Sequence, residues 1–139
     1  EVGGNLDHAY EFVSLEVRGG SVGTPAADLV MRVDGAEVSV SCEGDGMVDA
    51  SCSAIKEATG VEGRMTDYNV TSVTGGVDAL ADVALTFESV EGVTVSGRGL
   101  STDVVEASAR AFIGALNKIA RIRKSGEDPN AVDRPGRIG

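Results

Sequence analysis

The chain has 139 residues, enough for one domain with a core of ordinary size, and its 42% hydrophobic content is that of a globular protein. It contains no apolar run of about 18 residues that could span a membrane. Its formal net charge of −10 makes nucleic acid and anionic lipid poor partners.

Residues 1–8 read as a lead-in without a signal-peptide pattern. The chain opens at Glu1 rather than methionine, as expected of a piece cut from a longer cytoplasmic protein, or of a processed one. Ala9–Arg18 alternates as a strand, with Val13, Leu15 and Val17 assigned to one face. Ala27–Val33 alternates through Leu29, Met31 and Val33. Asp34–Gly35 signals a hairpin, and Ala36–Cys42 continues with Ala36, Val38, Val40 and Cys42 together. After Gly44-Asp45-Gly46 the period turns helical, with Val48, Cys52, Ile55 and Thr59 as the inner stripe. Beyond Thr59–Gly63 the order repeats. Arg64–Thr74 is a strand with Tyr68, Val70 and Ser72 on one face, and Ala81–Ser89 gathers Val83, Leu85 and Phe87. Glu91–Gly92 turns the chain, and Val93–Arg98 is the third strand. A longer helix over Thr102–Arg123 has Val105, Ala109, Phe112, Leu116 and Ile119 as its stripe. Asp103 with Glu106 has the spacing of a capping box. Residues 124–139 read as a loose tail.

An ungapped internal repeat supports this order. Sliding the sequence by 57 positions places Val33–Ile55 on Val90–Phe112, with Gly35/Gly92, Val38/Val95, Ser39/Ser96, Val48/Val105, Ala50/Ala107, Ser51/Ser108 and Ala54/Ala111 identical. The expected fold is α+β, a two-layer sandwich built from two pseudo-twofold-related βββα units. They span residues about 9–60 and 64–123 of one domain, 9–123.

Charge is uneven along the chain. Residues 1–109 carry 19 acids against 5 bases, and residues 110–139 carry 3 acids against 7 bases. The basic stretch Arg121–Arg137 is read as a solvated helix end. One histidine, His8, and two cysteines, Cys42 and Cys52, fall short of a zinc site or a disulfide framework. No metal or cofactor is expected, and both cysteines are read as small buried apolar residues. A nucleophilic site needs a positioned histidine. His8 reads as a terminal side chain, and Asp49 and Glu106 read as helix-start carboxylates rather than an acid/base pair. No catalytic residues are assigned. Gly44-Asp45-Gly46 is the better signal: glycines entering a helix allow close backbone approach, and the helix start favours a carboxylate. Gly99–Asp103 is taken as its copy in the second half.

The motifs themselves carry a resemblance. Gly44-Asp45-Gly46-Met47-Val48-Asp49-Ala50 is similar to the G-N-G-P-V-D-A segment of the C-terminal leucine-sensing domain of the 2-isopropylmalate synthases, with Asp45 where the family has asparagine and Met47 where it has proline. Asp67-Tyr68-Asn69-Val70 resembles its D-Y-x-V strand, and Thr74–Ala79 its T-x-G-x-D-A turn. Ser101–Phe112 resembles its S-T-D-I-V-E-A-S-A-x-A-Y helix. The likeness covers nearly all of 9–120. It implies a homodimer that binds a branched-chain amino acid, leucine favoured, for feedback inhibition of an attached acyltransferase barrel that this chain lacks. By motif position, Gly44, Asp45, Gly46, Val48 and Asp49 would meet the effector's polar end. Met65, Tyr68, Ser72, Ala79 and Val104 would shape the side-chain pocket. Alternatives left open are an isoleucine-sensing domain of the related citramalate synthases, a stand-alone dimerisation module, or a recruited small protein of this fold.

Overall fold

The computed structural model describes residues 9–19, 23–73 and 80–125. Strands β1 (Tyr10–Arg18), β2 (Ala26–Val33) and β3 (Ala36–Glu43) precede helix α1 (Met47–Thr59). Strands β4 (Gly63–Val73), β5 (Leu80–Ser89) and β6 (Thr94–Ser101) precede helix α2 (Val104–Ser125). Each trio forms an antiparallel sheet in sequence order, β1-β2-β3 and β4-β5-β6. Helix α1 packs on β2 and β3, α2 on β5 and β6, and the helices pack on each other. This is the repeated βββα arrangement of an α+β fold. Among the described residues no helix is long and apolar enough to cross a membrane.

One-faced alternation puts Leu29 and Met31 of β2, and Val83, Leu85 and Phe87 of β5, in a common core with Ile55, Phe112, Leu116 and Ile119 of the helices. The rings of Phe87 and Phe112 meet edge to face, centroids 5.2 Å apart. Both outer strands carry a bulge at the same point. The ladder shifts between Phe12 and Ser14 in β1, and between Met65 and Asp67 in β4. The bulge moves Val13 off the inner face it was expected to share. Phe12, Leu15 and Val17 stand opposite Met31, Leu29 and Ala27 instead.

The repeat also needs one gap. Asp34 (φ 53°) and Gly35 (φ 88°) make the tight two-residue hairpin that their dipeptide signals. The second hairpin is a residue longer, because Glu88 pairs with Thr94 where Arg32 pairs with Glu37. Met31 therefore corresponds to Phe87, both being buried, and Val33 does not correspond to Val90, which is exposed.

The helices depart from expectation in three ways. In α1 the buried face is Ala50, Ser51, Cys52, Ala54 and Ile55, which keeps Cys52 and Ile55 of the expected stripe and leaves Val48 and Thr59 partly buried, because α2 covers one flank. The box at α2 is half made: Asp103 Oδ1 accepts from the Val105 amide at 2.8 Å, but Glu106 bonds Arg110 instead of turning back. Helix α2 also ends at Ser125, inside the stretch expected as tail.

Helix α2 clamps the start of β1. The Tyr10 amide donates to Asn117 Oδ1, and Asn117 Nδ2 donates to the Tyr10 carbonyl, both at 2.8 Å. Asn117→Ala would strand two backbone groups in a partly buried place. The expected loss is about 1–3 kcal/mol, read from urea unfolding as a lower midpoint with an unchanged slope.

Candidate functional site

Chain entry into α1 is tightly built. Asp49 Oδ2 accepts the Asp45 amide at 2.9 Å, folding the loop over the helix start. Gly44 is required by this approach, since a methyl group there would lie 2.5 Å from Asp49 Oδ2 and 2.6 Å from the Ala50 nitrogen. The N-cap of α1 is Gly46, which offers no side-chain cap, whereas Asp103 caps α2. The positive end of α1 is met by the Asp49 carboxylate of its own first turn.

Below that turn lies a cleft of about 410 Å³ between α1 and β4. Helix α1 contributes Val48, Asp49, Cys52 and Lys56, β4 contributes Gly63, Arg64, Met65 and Tyr68, and Phe87 and Phe112 form the floor. At Lys56, Gly63 and Arg64 it joins a broader hollow of about 700 Å³ along the Gly60–Gly63 connection. Both chambers exist because α1 stops early. Gly60 takes the left-handed conformation (φ 73°) and caps α1. At the corresponding repeat position α2 runs on through Asn117 and covers β1. The inner face of β4 is left bare, with Tyr68 36% and Val70 47% exposed.

Tyr68 is fixed to α2. Its hydroxyl lies 2.7 Å from Ser108 Oγ, and Ser108 bonds the Val104 carbonyl at 2.8 Å. Since Ser108 donates to that carbonyl, Tyr68 donates to Ser108, and the ring becomes a wall between cleft and solvent.

Burial pushes the Cys52 thiol up to about 12. The Asp49 carboxylate adds to the rise and the Lys56 ammonium opposes it. Cys42, expected to be buried, is half-exposed and donates to Glu57 Oε1 at 3.3 Å; burial and that bond raise its thiol too. Since the thiolate is the reacting form, Cys52 should resist alkylation at pH 8 until the domain opens. Cys42 should label first, as mass spectrometry of tryptic peptides would report. Fast native-state labelling of Cys52 would contradict this placement.

Of the residues singled out in the sequence, Val48, Asp49, Met65 and Tyr68 line the cleft together. Gly44, Asp45 and Gly46 lie at its lip through the Asp49 bond. Ser72 and Val104 do not line it. Ser72 lies further along the face of β4, opposite Ala81, and Val104 is half-exposed beyond the Tyr68–Ser108 contact. Ala79 falls outside the described residues, as does His8. Gly99, expected in a copy of the Gly44 loop, lies within β6 against α2. Pattern reading missed Cys52, Lys56, Arg64, Phe87 and Phe112. The available signal was the Val48–Cys52–Lys56 spacing, which places a cation at the end of an apolar helical row.

The sequence profile of the LeuA allosteric (dimerisation) domain matches residues 1–120. The chain belongs to this family. It is similar to the 2-isopropylmalate synthase of Acidimicrobium ferrooxidans, 50% identical over 124 residues, which are 89% of this chain and 24% of that protein. The 2-isopropylmalate synthase of Pelotomaculum thermopropionicum is 39% identical over 114 residues, covering 82% of this chain and 23% of its own length. A probable 2-isopropylmalate synthase of Methanopyrus kandleri is 35% identical over 130 residues, 89% and 26% of the two chains. The chain thus spans about a quarter of the length of these relatives.

Proposed function

We propose that this domain is the leucine-responsive part of a cytoplasmic 2-isopropylmalate synthase, acting as a homodimer on the catalytic barrel of its own parent chain. The observation that carries the reading is the cleft between α1 and β4. Asp49 and Lys56 of α1 and Arg64 of β4 bring charge to it, and Met65, Phe87 and Phe112 bring apolar surface. Its volume of about 410 Å³ is in the range of small-molecule sites and generous for a branched amino acid. Val48, Asp49 and the Gly44–Gly46 loop receive the polar end, and Met65 and Tyr68 bound the alkyl group. Ser72 and Val104 belong to the surrounding face. The bare inner face of β4, with Tyr68 and Val70, is the surface on which a second copy sits. A ligand that binds the native dimer more tightly than other states shifts the parent enzyme's equilibrium through the same contacts.

Thermal unfolding of the chain with leucine, isoleucine, valine or no addition tests this. Leucine at about 100 times its Kd should stabilise the native state by about 2.7 kcal/mol, with smaller gains from the other two. A rise with isoleucine alone would transfer the reading to the citramalate branch. No rise with any of them would leave a dimerisation role only.

A further inference from the structure

We infer that Asp49 and Lys56 form a two-point clamp for the head of a zwitterionic ligand, with Asp49 receiving the ammonium and Lys56 the carboxylate. This rests on the amino-acid reading of the cleft and gives it a charge order. Both side chains line the cleft from the same helix, with Cys52 between them. Seven residues of helix separate them by about 10 Å along the axis, which a flexible lysine stem shortens toward the span of an α-amino acid and its two hydrogen bonds. Cys52 follows Asp49 by three residues and precedes Lys56 by four, so the three share one face of α1, the face toward the cleft.

The other cation of the cleft, Arg64, is turned toward Glu88, 3.6 Å away. Lys56 has no ion pair among the described residues. Asp49 spends one oxygen, Oδ2, on the Asp45 amide and keeps Oδ1 for a donor. With the head over Cys52, the alkyl group points between Met65, Phe87 and Phe112, the apolar end of the same space. The clamp requires both charges on one carbon and therefore selects amino acids over the corresponding acids and amides.

Calorimetric titration of the 139-residue chain with L-leucine, leucinamide and 4-methylpentanoate tests the clamp. Lys56→Gln should weaken leucine by roughly tenfold or more, leave leucinamide unchanged, and be rescued by Lys56→Arg. Asp49→Asn, which keeps an oxygen for the Asp45 amide, should weaken leucine and leave 4-methylpentanoate unchanged. Equal leucine affinity in Lys56→Gln and the unaltered chain would overturn the clamp while the effector reading stands. Absence of binding of leucine, isoleucine and valine to the unaltered chain would overturn both.

Discussion

Phe112→Ala is expected to destabilise the domain by about 3–5 kcal/mol. The ring is 1% exposed, meets Phe87 edge to face, and forms part of the cleft floor. Its removal forfeits the burial of an aromatic side chain, the contact between the two rings, and the packing of atoms that then face a void. The neighbours are held by two different sheets through α1 and α2, so collapse around the gap will be limited. Against a typical total of about 5–15 kcal/mol, the loss should lower the unfolding midpoint by roughly 10 °C or more. Denaturant unfolding measures it, and a loss under about 1 kcal/mol would contradict the placement of Phe112 at the junction of the two halves.

Gly97→Ala is the second large effect, and it acts by crowding. A methyl group on Gly97 would fall on the Ala111 carbonyl oxygen and lie 2.7 Å from the Ala115 nitrogen. These are backbone atoms of α2, so no side chain can swing aside and the helix itself must lift from β6. Overpacking of this kind costs about 1–3 kcal/mol when side chains yield, and the upper end or beyond is expected here. Gly99 meets α2 in the same way, at the Ala111 nitrogen. Gly114 is the control. It is a helical glycine with nothing within 4 Å of an added methyl, so Gly114→Ala should stabilise by about 0.5–1 kcal/mol. Parallel thermal melts of the two variants should move in opposite directions. A neutral Gly97→Ala would mean that α2 does not rest on β6 through its glycines.

These glycines also explain what the sequence did and did not disclose. Alternation in β2 and β5 and the helical spacing of Ile55, Phe112, Leu116 and Ile119 reported the core directly, because inner-face residues of strand and helix recur at fixed periods. The repeat exposed the two βββα units for the same reason. Its asymmetries were harder to read. Val40 and Cys42 of β3 occupy the repeat positions of Gly97 and Gly99 in β6, so α2 lies closer to its sheet than α1 can. The bulges at Val13 and Thr66 shift one residue in the ladder without changing its polarity signature, which is why Val13 was assigned to the wrong face.

The site was half legible. Motif likeness reached Val48, Asp49, Met65 and Tyr68 because each lies in a short contiguous segment. Lys56 and Arg64 join the cleft only through the stop at Gly60, which folds the connection back between α1 and β4. Phe87 and Phe112 read correctly as core, but alternation cannot say that a core ring also faces a cleft. Ser108 was visible as a repeat partner of Ser51, both bonding the carbonyl four residues back. Its bond to Tyr68 depends on the sheet and helix meeting in space.

The α1/β4 cleft is the proposed seat of a branched-chain amino acid. Amide and methyl NMR spectra of the labelled chain, titrated with L-leucine, test it most directly. Saturable shifts are expected at Val48, Asp49, Cys52, Lys56, Met65 and Tyr68, with little change on the outer face of β2. Saturable binding whose shifts lie elsewhere, for example along β1 and the Asn117 end of α2, or no shifts at millimolar leucine, would contradict it.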